Sequence, residues 1–333
     1  MISLEDLTEE QLLKCRLCDL PVSIDDTWLK ECVDQLYLEL EMKGLVFRPE
    51  CYLADEWLVP DKHTVIGIAF YLAHPALTVL ERKMMFEAEG EGKDWCMKLL
   101  RHEAGHAINY AYNLYRKKKW RDMFGCFNRE YEDTYRFRPY SKNFVRHLED
   151  HYAQAHPDED FAETFAVWLD PDSDWKFRYR GWGALKKIKY MNDLMCEIKE
   201  KAPANISKYK FWHIAKEKRT LKTYYKQKRH LWAEDFPDFH DENLKKIFVP
   251  QGKQRAAVFI KKQRHYLRDT VASWTGEKKY LIDDLLGKFV DRCNFLELYS
   301  AADESRSIAV ITSYLTACAM NHMYTGSLRG DKR

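Results

Sequence analysis

Apolar residues recur at intervals of three and four along several stretches of this chain, and that period predicts a largely helical protein. Leu29, Val33, Leu36 and Leu40 mark a helix over 27–43, with Gly44 placed to close it. Two runs of strand character follow, at 45–54 and 64–72. The second carries Val65, Ile66, Ile68, Phe70 and Tyr71 around Gly67. Helices are predicted over 75–87 and 94–115, the latter with Cys96, Met97, Leu99, Leu100, Ala107, Ile108 and Ala111 at apolar positions. The basic run Arg116 to Lys119 and Arg121 reads as the positive end of that second helix. Residues 124–150 have no clear period and are rich in Tyr, Arg and Phe, so they are expected to form a cleft wall between two helices. From His156 to Leu169 the pattern is helical again. Pro157 suits the first turn, acids crowd the N-terminal end, and Phe161, Phe165, Trp168 and Leu169 form a stripe. Beyond Trp182, helices are predicted over 184–201, 254–274, 279–299 and 304–323, separated by Pro203, Pro237, Pro250 and Gly276.

These elements predict an α+β fold: a small mixed sheet with helices over residues 1–181, then a mainly α-helical C-terminal region, 182–333, packed on it.

The helix over 94–115 contains His102-Glu103-Ala104-Gly105-His106, an HExxH pattern. Positions four apart share one face of a helix, so both imidazoles can address one metal ion. Glu103, beside the first of them, is placed to take a proton from a metal-bound water. A catalytic zinc site needs a third protein ligand and an open fourth position. Glu159 and Glu163, four apart on the downstream helix, supply two candidates. Glu159 is the preferred ligand and Glu163 the residue that orients a ligand imidazole, with the reverse assignment as the alternative. Asp160 points elsewhere and reads as a partner of the helix dipole.

At these residues the chain resembles the gluzincin metallopeptidases, and more closely the bacterial family of putative zinc-binding metallopeptidases. The segment Glu159-Asp160-Phe161-Ala162-Glu163-Thr164-Phe165 is similar to the corresponding helix of the anthrax lethal factor catalytic domain. The resemblance implies a zincin-like core, one Zn²⁺ held by His102, His106 and Glu159, and hydrolysis of peptide bonds with Glu103 as general base. It further implies that Tyr152, seven residues before Glu159, donates a hydrogen bond to the oxyanion of the tetrahedral intermediate. In zincin-like peptidases a strand ahead of the motif helix pairs with extended substrate; 64–72 is the candidate, an ordinary core strand the alternative. The expected partner is a peptide or protein substrate.

Composition adjusts this picture little. The 333 residues carry a net charge of +2, which does not argue for nucleic acid, and 46% of them are hydrophobic, ample for a core. Met1 to Leu13 is acidic and lacks a basic region followed by an apolar run, so no secretory leader is expected. No eighteen-residue apolar stretch exists to span a membrane. Nine scattered cysteines read as reduced thiols of a cytoplasmic protein, and the single Cys15/Cys18 pair has no second pair to make a zinc ribbon. Ser207 to Arg229 interleaves nine Lys or Arg with aromatics. It reads as an amphipathic helix with a lysine-rich outer face, a nucleic-acid surface being the alternative. The other function class to weigh is a zinc- and peptide-binding module with weak catalysis.

Overall fold

The computed structural model describes residues 4–25, 27–131, 137–138, 140–148, 151–230, 240–301 and 303–325. Pro237, the first three residues, and 132–136, 139 and 149–150 of the aperiodic stretch lie outside that set. The chain forms two compact units, one from the N-terminus to Tyr224 and one from Tyr225 onward together with Met84–Phe86. By their contacts, residues 182–224 group with the first unit. Helical periodicity shows that a helix has a buried face but not what covers it.

In the first unit a short helix at Glu9–Lys14 precedes helix α1 (Trp28–Met42), which is capped by Thr27, whose hydroxyl accepts from Leu29 N–H at 3.3 Å. Gly44 follows with φ 76°, a backbone conformation glycine adopts freely. Strands β1 (Glu50–Ala54) and β2 (Val65–Ala69) pair in parallel, with Cys51 opposite Ile66 and Leu53 opposite Ile68. Both are shorter than the sequence pattern suggests. Pro49 has no N–H to offer a ladder ahead of β1, and after Ala69 the chain winds into a 3₁₀ turn over Phe70–Ala73. All five residues of β2 are buried, as an apolar strand covered on both faces must be. Its second edge is also engaged. Leu58 pairs antiparallel with Gly67, giving N–H to C=O at 3.2 Å and receiving N–H at 2.8 Å, an isolated bridge beside a sheet whose two strands are parallel rather than mixed. A Cβ on Gly67 would lie 2.6 Å from Leu58 Cδ2.

Helices α2 (Pro75–Met85) and α3 (Lys93–Ala111) follow. Helix α3 stops short of Tyr115 because Asn113 takes a left-handed conformation, φ 50°, which Asn tolerates. The basic run consequently does not end α3; most of it opens a separate helix, α4 (Lys118–Phe124). Helix α5 (Pro157–Leu169) is capped by His156, whose Nδ1 accepts from Asp158 N–H at 3.1 Å, with Pro157 at the first helical position. All thirteen residues of α5 are buried, and α3 and α6 (Ala184–Ile198) pack on it. Residues 207–213 run along β1, with Ala54 bridging His213 and Asp55 N–H reaching Trp212 C=O at 3.3 Å. The expected single helix over 207–229 is thus confined to Leu221–His230, and Lys210 and Arg219 spend their charge on Glu50 and Asp55, each at 2.6 Å.

The second unit holds α7 (Asp241–Ile247), α8 (Ala256–Thr275), α9 (Lys279–Phe295) and α10 (Glu304–Thr325) around Phe259, Leu267, Leu286, Phe289, Ile311 and Leu315. Forked contacts of Arg264 with Asp283 and of Arg292 with Asp241 join its helices. Among the described residues no helix is long and apolar enough to cross a membrane.

Helices α3 and α5 meet at Gly105. A Cβ there would lie 2.8 Å from the backbone Cα of Ala162 and 3.1 Å from its carbonyl oxygen. Backbone cannot step aside as a side chain can. Gly105→Ala should therefore destabilise the first unit by about 1–2 kcal/mol, overpacking outweighing the roughly 1 kcal/mol helix preference of Ala. Urea unfolding measures this, and a more stable variant would refute the close approach.

Candidate metal centre

Helix α5 carries four acids, Asp158, Glu159, Asp160 and Glu163, each no more than 5% exposed. A buried carboxylate without a partner costs several kcal/mol, so each must be matched. Asp160 turns away from the others and pairs with Lys187 of α6; burial nevertheless pushes its carboxyl up to about 7. The remaining three face the HExxH turn of α3.

Each imidazole there is held at both ring nitrogens. His102 Nδ1 lies 2.9 Å from Glu163 Oε1, and Glu163 Oε2 accepts Leu148 N–H at 2.9 Å. His106 Nδ1 lies 2.9 Å from Asp158 Oδ2. Asn109 Nδ2 donates to Asp158 Oδ1 at 2.7 Å, and the Tyr110 hydroxyl donates to Oδ2. The two Nε2 atoms are thereby aimed at one point, 3.2 Å apart. Glu159 Oε2 completes the triangle, 3.1 Å from His102 Nε2 and 3.2 Å from His106 Nε2.

These three atoms could hold a metal ion. A tetrahedral site with bonds of about 2.0–2.1 Å has edges of roughly 3.3–3.4 Å, close to the observed separations. The charges agree with the geometry. Burial opposes charge on both imidazoles, yet Glu159 and Glu163 outweigh it at His102 and raise it to about 10. Asp158 and Glu159 likewise raise His106 well above its ordinary value. The same imidazoles draw Glu159 below the usual carboxylate range, although burial alone would raise it. With Glu103, four carboxyl groups surround two imidazoles, an excess that a divalent cation balances.

The triangle opens on a cavity of about 580 Å³. Glu103 lines it, 7% exposed, and burial raises its carboxyl against the opposing pull of His102 and His106. Tyr152 also lines it, 36% exposed, its ring centroid 5.7 Å from that of His102. The structure thus brings His102, Glu103, His106, Tyr152 and Glu159 to one cavity, with Glu163 behind His102. The segment bordering the cavity is Trp57–Leu58–Val59, not β2, both of whose edges are occupied, by β1 and by Leu58.

Sequence reasoning passed over Asp158, Asn109, Tyr110 and Tyr131. Asp158 could have been found by counting: two ligand imidazoles each need an acceptor at the second nitrogen, and one glutamate serves only one. Asn109 and Tyr110 follow from Asp158, lying on α3 one turn past His106. Tyr131, whose hydroxyl donates to Glu159 Oε1 at 3.0 Å, comes from the aperiodic stretch and has no sequence signal.

Residues 66–174 match the model of a family described as "putative zinc-binding metallo-peptidase". No curated protein and no solved structure matches the chain. Asp158→Asn exchanges an acceptor for a group that presents an N–H to donors. It should weaken uptake of added Zn²⁺ by about 10–100-fold, read by chelator competition. An unchanged affinity would show that His106 needs no carboxylate behind it.

Proposed function

We propose, from the match of residues 66–174 to the putative zinc-binding metallo-peptidase family, that the chain is a zinc-dependent peptidase. One Zn²⁺ would be held by His102 Nε2, His106 Nε2 and Glu159, leaving the cavity side for water and substrate. The observation that carries this reading is the convergence of three ligand atoms within 3.1–3.2 Å while each imidazole's other nitrogen rests on a carboxylate.

Bound zinc would supply Lewis acidity, lowering the pKa of water and polarising a peptide carbonyl. The rest is the work of the chain. Glu103 acts as general base: its carboxylate takes a proton from the attacking water and returns it to the leaving amine. Burial strengthens that base by disfavouring its charge. The Tyr152 hydroxyl donates a hydrogen bond to the oxyanion as the carbonyl becomes tetrahedral. Glu163 and Asp158 keep the imidazoles in the tautomer that presents Nε2 as a ligand. Leu58 gives both its backbone groups to Gly67, which fixes the Trp57–Leu58–Val59 segment at the rim. That edge, along the cavity, is offered to an extended peptide.

The decisive experiment is cleavage of a peptide library by purified protein of measured zinc content, with and without chelator. Cleavage should vanish with the metal and return on adding Zn²⁺. Peptide binding without cleavage would instead identify a metal- and peptide-binding module. Glu103→Gln should keep zinc and lose about 10²–10⁴-fold in turnover; retained cleavage would remove Glu103 from the reaction. Tyr152→Phe should keep zinc and lose about 10²-fold in kcat, as the loss of one oxyanion donor does. An unchanged kcat would leave Tyr152 a wall of the cavity.

A further inference from the structure

Glu159 offers one oxygen to the imidazole pair, and its second oxygen is buried with it. Oε2 sits within 3.2 Å of both Nε2 atoms, whereas Oε1 accepts the Tyr131 hydroxyl at 3.0 Å. A buried carboxylate oxygen with no donor would be costly and would be free to swing toward the same cation. Tyr131 prevents both. Its position is set from several sides: the ring stacks on His156 at 3.8 Å between centroids, 18° from parallel. His156 is itself fixed twice, Nδ1 accepting Asp158 N–H at 3.1 Å and Nε2 lying 2.8 Å from the carbonyl oxygen of Arg129. The chain Arg129–His156–Tyr131–Glu159 therefore closes on itself, with its first and third members two residues apart. Tyr131 is 58% exposed as a residue, yet its hydroxyl reaches a carboxylate that is 5% exposed. The ring is placed by its stacking on His156, and what it delivers to Glu159 is the hydroxyl.

We propose that Tyr131 is a positioning residue for Glu159, holding Oε1 so that the carboxylate meets the metal through Oε2 alone. This rests on the zinc centre proposed above. It also separates two tyrosines on one cavity: Tyr131 acts on the ligand, Tyr152 on the substrate.

Tyr131→Phe tests it, since the ring and its stacking remain and only the hydroxyl is lost. Zinc affinity of the full chain is measured by competition with a chromogenic chelator, and Co²⁺-loaded protein is examined by visible absorption, which reports ligand arrangement. Tyr131→Phe should bind Zn²⁺ about tenfold or more weakly and show an altered Co²⁺ spectrum, with thermal unfolding of the metal-free chain unchanged. Tyr152→Phe should match wild type in both metal measurements. Wild-type affinity and spectrum in Tyr131→Phe would overturn this inference alone. A wild-type chain that takes up neither metal would overturn the zinc centre and this inference with it.

Discussion

Burial of four carboxyl groups on one thirteen-residue helix is the constraint around which the first unit is organised. A helix buried on every side is ordinarily apolar, because an unmatched charge in a core costs more than a hydrophobic residue gains. Here each acid has its own set of partners, three of the four sets drawn from α3: Asp160 meets Lys187 of α6, Glu163 meets His102 and Leu148 N–H, Asp158 meets His106, Asn109 and Tyr110, and Glu159 meets both imidazoles and Tyr131. Removing α3 or α6 would leave a buried charge alone. The polar cluster and the packing are thus one arrangement.

The close contact of α3 and α5 is what makes that arrangement short-range. Gly105 lets the backbones touch, and Ala162 opposite it is the smallest side chain that keeps the helix. With larger residues at either place the helices would stand apart, and carboxylate-to-imidazole distances of 2.9 Å could not be met on both His102 and His106 at once. Small residues inside the motif are therefore packing residues as well as spacers between ligands.

The walls of the cavity come from outside the two helices. Trp57–Leu58–Val59 reaches it because Leu58 is pinned to Gly67 of β2, and Tyr131 and Arg129 are drawn in through His156. These wall residues sit on irregular backbone held at a few points. The proposed ligand residues, by contrast, sit on helices, where orientation is set by the backbone ladder. A rigid centre with walls of this kind can keep its chemistry while its selectivity is set by loop residues.

Local sequence determined the helices that carry the site, the facing of His102 and His106, and the pairing of Glu159 with Glu163, because each depends only on the 3.6-residue period and on spacing within one turn. It also marked Glu103 and the acidic first turn of α5. Tertiary structure alone decided which acid stands behind which imidazole, since nothing local to α5 assigns Asp158 to His106 and Glu163 to His102. It decided, too, that Leu58 rather than β2 borders the cavity, that residues 182–224 belong with the first unit, and that Tyr131 meets Glu159. All of these are contacts between segments far apart in the chain or without a period. Such contacts are chosen by what else is buried nearby, and no local pattern records them.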